Sequence, residues 1–319
     1  MDRPVSTLLF LVLSAVAVAS AAALVDPEDY WHQQLPNTPI PGAIRTLLCP
    51  DLLREVRRDA PVSTGMVLLD LTQAWYCLSY AGNESQARND PDGAFFFLEK
   101  DLHPNTRKRL QFTRSAPPAP FIPRPVADAI PFSSKKLPEL MARFSLRPGS
   151  AGAEHMKLSL HTCEDVHACI AGEAKSCVTS LESMVDFATA NLGGTRDVRA
   201  SSTEVGGGEL KQQYYTVAGR VESLQEGGKA VVCHVLAFPY AMFICHAIGG
   251  GTRAYKVPLV GEDGSKVTAV VVCHVDTSGW NPRHLAFLVL KVRPGSIPVC
   301  HFLPQDTVVW TPTTWAPTM

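Results

Sequence analysis

One dipeptide recurs four times between Val231 and Leu303: Cys233-His234, Cys245-His246, Cys273-His274 and Cys300-His301. The intervals between pairs are 10, 26 and 25 residues. Four of the nine cysteines and four of the ten histidines lie in these pairs, so composition alone does not produce the pattern. Each pair is embedded in β-formers: Val-Val-Cys-His-Val, Phe-Ile-Cys-His-Ala-Ile, Val-Val-Val-Cys-His-Val and Pro-Val-Cys-His-Phe. Valine, isoleucine and phenylalanine at this density predict short strands. Neighbouring side chains on a strand project to opposite faces. Each cysteine therefore looks one way and its histidine the other. Four such strands in one sheet gather four thiols on one face and four imidazoles on the opposite face. In an oxidising compartment the thiols become two disulfides, which staple the strands and hold the imidazoles at fixed separations. Clustered neutral imidazoles bind zinc, copper, iron or nickel.

The series CH-x10-CH-x26-CH-x25-CH resembles the signature of the BURP-domain family of plants. Further segments carry the likeness. They are Tyr30-Trp31-His32-Gln33-Gln34-Leu35-Pro36-Asn37-Thr38-Pro39-Ile40-Pro41, Phe96-Phe97-Leu98-Glu99-Lys100-Asp101-Leu102, Ile130-Pro131-Phe132-Ser133-Ser134, Cys163-Glu164, Gly172-Glu173-Ala174-Lys175-Ser176-Cys177 and Asp276-Thr277-Ser278-Gly279-Trp280-Asn281-Pro282. The resemblance implies a secreted plant protein of α+β class with the BURP fold. Helical elements are expected in its N-terminal half and an antiparallel β-rich region in its C-terminal half, stapled by disulfides. Some members are copper-dependent peptide cyclases that crosslink Trp or Tyr side chains of a short core peptide, often carried in their own chain. Others are seed, stress-related or cell-wall proteins with no assigned reaction. By this resemblance His234, His246, His274 and His301 are copper ligands, and Cys163 bonds Cys177.

The chain divides by composition. Residues 1–23 read as a secretory signal: Arg3 supplies the basic start, Leu8 to Val18 is apolar, and Ala19-Ser20-Ala21 or Ala21-Ala22-Ala23 offers a cleavage site. No later segment reaches the ~18 apolar residues of a membrane helix. The expected location is extracellular, in the apoplast or cell wall, where disulfides persist. Residues 24–93 form a leader, ending in the turn chemistry of Asn89-Asp90-Pro91-Asp92-Gly93. Three prolines between Pro36 and Pro41 forbid a helix there. Ile44, Leu47, Leu48, Leu52, Leu53 and Val56 keep roughly helical spacing, broken at Pro50. Asn83-Glu84-Ser85 is a glycosylation sequon. Gln73 to Tyr80 loosely fits a core peptide, but it continues an apolar run, and a packed element is the better reading. The BURP domain is expected over 95–310, with a flexible tail over 311–319.

Within that domain, Ser133 or Ser134 is placed to cap a helix running to Phe144, with Pro138 in its first turn. Arg107-Lys108-Arg109 reads as a solvated strand end or a protease site. Thr179-Ser180-Leu181-Glu182 reads as a capping box opening a helix with Leu181, Met184, Val185, Ala188 and Leu192 on one face, stopped by Gly193-Gly194. From Val198 onward, glycine turns separate short β-runs, including Ala286-Phe287-Leu288-Val289-Leu290.

Cys49 and Cys77 are placed to pair within the leader, which leaves Cys169 as the odd thiol. Cys233, Cys245, Cys273 and Cys300 allow three connectivities. The ten-residue gap makes Cys233–Cys245 the local option, in a hairpin. The four histidines admit three readings: copper ligands, structural zinc together with thiolates, or satisfied core residues. Zinc usually needs C-x2–4-C spacing, which is absent. Asp276 continues the alternation of the third strand and is a candidate ligand, an imidazole partner, or a plain turn residue. His284 reads as a surface or core histidine. A balance of 29 basic against 30 acidic residues leaves no polybasic footprint for nucleic acid. No G-x-S-x-G or H-E-x-x-H motif supports a hydrolase. The expected partners are a peptide substrate or a cell-wall component.

Overall fold

The computed structural model describes residues 25–48, 96–165, 174–206, 211–224, 229–248 and 252–313. The expected signal segment, Cys49, Cys77, the 73–80 window, Asn83, the 89–93 turn, Cys169 and residues 314–319 lie outside them. So do the helical spacing beyond Leu48 and several of the glycine turns.

Two antiparallel sheets face each other. The larger is built from β1 (Phe96–Leu98), β2 (Arg107–Leu110), β5 (Glu204–Gly206), β6 (Gln213–Val217), β7 (Glu222–Ser223), β10 (Thr252–Gly261), β11 (Lys266–His274) and β12 (Val299–Phe302). Its main path runs β1-β12-β11-β10-β6-β2, with β5 beside β11 and β7 beside β10. The smaller comprises β3 (Lys175–Val178), β4 (Val198–Ser201), β8 (Ala230–Leu236), β9 (Met242–Ile248) and β13 (Val308–Pro312), in the order β3-β9-β8-β13-β4. Among the described residues, seven α-helices accompany them: α1 (Pro27–Gln34), α2 (Gly42–Leu48), α3 (Arg124–Asp128), α4 (Leu137–Arg143), α5 (Ala151–Glu164), α6 (Leu181–Asn191) and α7 (Leu285–Leu290). The α+β class and the disulfide stapling expected from the sequence are both present.

The placement of the four strands differs from the single sheet that the dipeptide pattern suggests. β8 and β9 belong to the smaller sheet, β11 and β12 to the larger. Alternation within each strand holds, and the two inner faces meet. Val232 and Val309 of one sheet pack with Ala254, Val270, Val272 and Leu303 of the other. These share the face of the histidines; the cysteines point outward. Behind Cys233 and Cys245 lie Trp31, Ile44, Leu181, Met184 and Trp310, so α1, α2 and α6 cover that side. Behind Cys273 and Cys300 the larger sheet curls over its own core of Phe97, Leu110, Tyr215, Val257 and Val271. Lys108 of β2 there lies 5.4 Å from the Phe97 ring centroid of β1.

Local chemistry explains several boundaries. Asp26 caps α1 by accepting from the Glu28 N–H, with Pro27 in the first turn where its missing N–H is harmless. Ser133 caps a short 3-10 turn that leads into α4, with Pro138 in the first turn as expected. α6 begins one residue later than the box read from sequence. Ser180 caps it and exchanges hydrogen bonds with Ser183, while Glu182 accepts from the Arg124 N–H at 3.2 Å. Its end is as read: Gly193 and Gly194 take positive φ, and the Gly194 N–H returns to the Thr189 carbonyl at 2.9 Å. Arg107-Lys108-Arg109 is strand β2.

Three further elements depart from the sequence reading. Ala286 to Leu290 lies in helix α7 rather than in a strand, because His284 caps the segment and Ala286 and Phe287 bury against Trp280. Thr311 and Pro312 belong to strand β13, paired with Arg199 and Val198 of β4. Residues 27–48 of the leader pack into the sheet core: Trp31 is fully buried with its ring 5.5 Å from Trp310, and Thr38 donates to the Val198 carbonyl at 2.6 Å. Among the described residues, no helix is long and apolar enough to cross a membrane.

Candidate metal centre

Strand register decides where the paired residues go. Cys233 stands directly opposite Cys245, and Cys273 directly opposite Cys300. Both pairs have Cα atoms 4.0 Å apart and are bonded. The short separation is that of a non-hydrogen-bonded antiparallel pair, where side chains are closest. All four cysteines are fully buried. The sequence left three connectivities open, and this one pairs each cysteine with its strand neighbour. Cys163, at the end of α5, bonds Cys177 of β3. Next to it, Glu164 accepts from the Ser134 N–H at 2.7 Å and the Ser133 hydroxyl at 3.0 Å.

Antiparallel register then fixes the histidines. Each histidine follows its cysteine, and the strands run opposite ways. His234 is therefore opposite Ile244 and His246 opposite Val232; His274 is opposite Val299 and His301 opposite Val272. The two imidazoles of each strand pair are diagonal neighbours on the face away from the disulfide, a position within reach of long or aromatic side chains. The His234 and His246 ring centroids lie 5.7 Å apart, and those of His274 and His301 lie 5.5 Å apart, nearly parallel at 12°.

The two pairs differ in setting. His234 and His246 are buried, and the Thr307 hydroxyl lies 3.4 Å from His234 Nδ1. His274 and His301 are half-buried. His301 Nδ1 is 3.3 Å from the Phe302 carbonyl, which can only accept, so the ring carries its proton on Nδ1. Its Nε2 lone pair faces His274 Nε2 at 3.4 Å, which donates. Trp280 stands edge-on to His274 at 5.0 Å, and Phe96 edge-on to His301 at 6.1 Å.

Burial disfavours the charged form of three of these rings, His234, His274 and His301. It pushes His234 and His274 well below the ordinary imidazole value, and His301 down to about 4. Repulsion reinforces burial across the sandwich. A proton on His234 would be opposed by His246, His301 and His274, and one on His274 by His301 and His246. The four histidines, split between two sheets, therefore form one electrostatically linked group at the sheet interface.

The donor set suits a soft or borderline ion. Neutral imidazole is the form that binds copper or zinc. Imidazole nitrogens sit about 2.0–2.1 Å from such ions as zinc, so two of them at a tetrahedral angle stand about 3.3–3.4 Å apart. His274 Nε2 and His301 Nε2 have that separation. Among the described residues, however, no group of three or more His, Cys, Asp or Glu side chains is gathered to hold one ion. The thiolate–imidazole zinc reading is excluded for the bonded cysteines, which carry no thiolate. Asp276 lies in a turn beyond the strand. β11 ends at His274, and the Asp276 carboxylate closes a turn by accepting from the Ser278 N–H at 2.9 Å, exposed to solvent. Its carboxyl is held below the usual range by those hydrogen bonds.

His284, read from the sequence as a surface or core histidine, is a core residue, its ring 4.8 Å from Trp280 and 5.7 Å from Phe96. Burial, then repulsion from His301, lowers it to about 4. Its position ten residues after His274 carries no strand or dipeptide signal.

A family model described as the BURP domain matches residues 95–312. The chain is 52% identical to BURP domain-containing protein 3 of Oryza sativa subsp. japonica over 74% of its own length, and spans 54% of that relative. It is 43% identical to BURP domain-containing protein 5 of the same organism, over 94% of this chain and 91% of the relative. BURP domain protein RD22 of Arabidopsis thaliana is 34% identical over 95% of this chain and 98% of its own.

Proposed function

The chain belongs to the BURP-domain family, and from that premise we propose that it is a secreted, copper-binding protein that oxidatively crosslinks aromatic side chains of a peptide. The observation that supports this reading is the His274–His301 pair, whose Nε2 atoms stand 3.4 Å apart in a half-buried position. His274 and His301 would hold copper on the reachable side of the interface, and His234 and His246 would offer a second, buried pair of donors. Bound copper would supply one-electron oxidation with dioxygen as the final acceptor.

The residues of the chain do the rest. The disulfides behind each pair set the spacing of the rings, and His274 would move its proton from Nε2 to Nδ1 to offer Nε2 to the metal. Burial keeps His274 and His301 unprotonated. The Phe302 carbonyl holds the His301 proton on Nδ1 and leaves Nε2 as a donor atom. Phe96 and Trp280 line the same side and offer aromatic edges to a Trp or Tyr side chain.

A second reading is a non-catalytic apoplastic or cell-wall protein on the same scaffold. The lack of a three-donor group among the described residues favours it. Purified secreted chain, incubated with Cu(II) and air, separates the two. Copper retained at a fixed ratio, with a supplied Trp- or Tyr-containing peptide losing about two hydrogens, supports the first. Retained copper with an unchanged peptide supports the second. A chain that retains no copper overturns the copper-binding reading.

A further inference from the structure

We infer that His284 is a positioning residue for the His274/His301 pair. This rests on the reading of that pair as the functional site. His284 lies in the connection between β11 and β12, just before α7. It is almost fully buried although it follows an exposed turn. Its Nδ1 accepts the Ala286 N–H at 3.2 Å and so caps the helix.

The ring does something a cap alone does not need. It stands at the fork of two aromatic contacts, each leading to one imidazole of the pair. On one branch, Trp280 is 4.8 Å from His284 and 5.0 Å from His274. On the other, Phe96 is 5.7 Å from His284 and 6.1 Å from His301. A helix cap is served best by Ser, Thr, Asp or Asn, whose short side chains reach the backbone. A pure packing position is served by Phe or Leu. Histidine meets both demands, anchoring the start of α7 while wedging Trp280 and Phe96 against the pair.

The test uses His284→Asn and His284→Phe in the full chain. Asparagine keeps the cap and removes the ring; phenylalanine keeps the ring and removes the acceptor. Ring-proton NMR shifts of His274 and His301 are read first, without metal. Cu(II) affinity and its EPR spectrum are read second. His284→Asn is expected to move both sets of ring shifts and to weaken Cu(II) binding by about 10- to 100-fold, the usual range for residues that orient metal ligands. His284→Phe is expected to retain most of the ring shifts. Trp280→Leu, which cuts one branch only, should move His274 more than His301. Unchanged ring shifts in His284→Asn overturn the inference, as does Cu(II) affinity within twofold of the parent. If the parent binds no Cu(II), the copper reading fails, and the ring shifts alone decide the role of His284. If His284→Asn does not fold, equal shifts of both histidines in Trp280→Leu overturn it.

Discussion

Cys233 and Cys245 face each other across β8 and β9 with Cα atoms 4.0 Å apart, and this bond is the reverse side of the His234–His246 contact. The same relationship holds for Cys273–Cys300 and His274–His301. Sulfur on one face and imidazole on the other are two consequences of one register. Each disulfide acts as a fixed backing for a pair of donors.

Opening one backing should therefore loosen its pair and lower stability. Cys273→Ala/Cys300→Ala removes a cross-link that restricts the unfolded chain, worth roughly 3 kcal/mol for loops of this order. Denaturant unfolding should show that loss. The His274 and His301 ring-proton shifts should move, while those of His234 and His246 stay close to the parent's. Shifts that move equally at both pairs would contradict independent backing.

Acid should destabilise the fold through the same rings. His301 and His284 titrate at about 4 in the folded chain, below the ordinary value of 6.5, and His234 and His274 are shifted the same way. Between those values the unfolded chain binds more protons than the folded one, so stability rises with pH. The contribution is complete above pH about 6.5 and is lost as pH falls towards about 4. Thermal midpoints measured from pH 7 down to pH 4 should decline, and His274→Phe/His301→Phe should flatten the decline. A parent midpoint that holds constant over that range would refute the linkage.

The docked leader can be tested at Trp31. It is fully buried, packs on Trp310, and donates from Nε1 to the Thr38 carbonyl at 2.8 Å. Trp31→Ala should cost about 3–5 kcal/mol, as large-to-small core changes do. Limited proteolysis should then cut within 27–48 faster than in the parent. Destabilisation below about 1 kcal/mol would mean that α1 adds little to the core.

Asp276 gives a contrasting case. Asn at this position can keep the turn by accepting from the Ser278 N–H, and the side chain is exposed. Asp276→Asn should change stability by no more than about 0.5 kcal/mol and leave Cu(II) affinity unchanged. His274→Ala should abolish the high-affinity Cu(II) signal of its pair. A large loss of affinity in Asp276→Asn would return the carboxylate to the ligand set.

Much of the site was legible because its chemistry is local. The β-rich settings of the four dipeptides placed strands correctly, and period-two alternation separated Cys300 from His301 before any contact was known. The Cys163–Cys177 bond followed from resemblance, and α6 from its apolar spacing. His284 was not legible, since nothing near it in the chain marks a residue that meets the pair through Trp280 and Phe96. The segment after it was misread because a short apolar run fits a strand or a buried helix equally well, and only the His284 cap separates them. Trp31 lacked a visible partner because Trp310 lies at the far end of the chain.

The sequence by itself determined that thiols and imidazoles leave opposite sides of each strand, because that follows from backbone geometry within a few residues. It also determined the family, through the spacing of those strands. Only the tertiary structure decided that the four strands pair two and two in separate sheets, that each cysteine bonds its strand neighbour, and that both histidine pairs face the interface between the sheets. Those are matters of which surfaces bury against which, and contacts between residues distant in the chain leave no periodic trace in it.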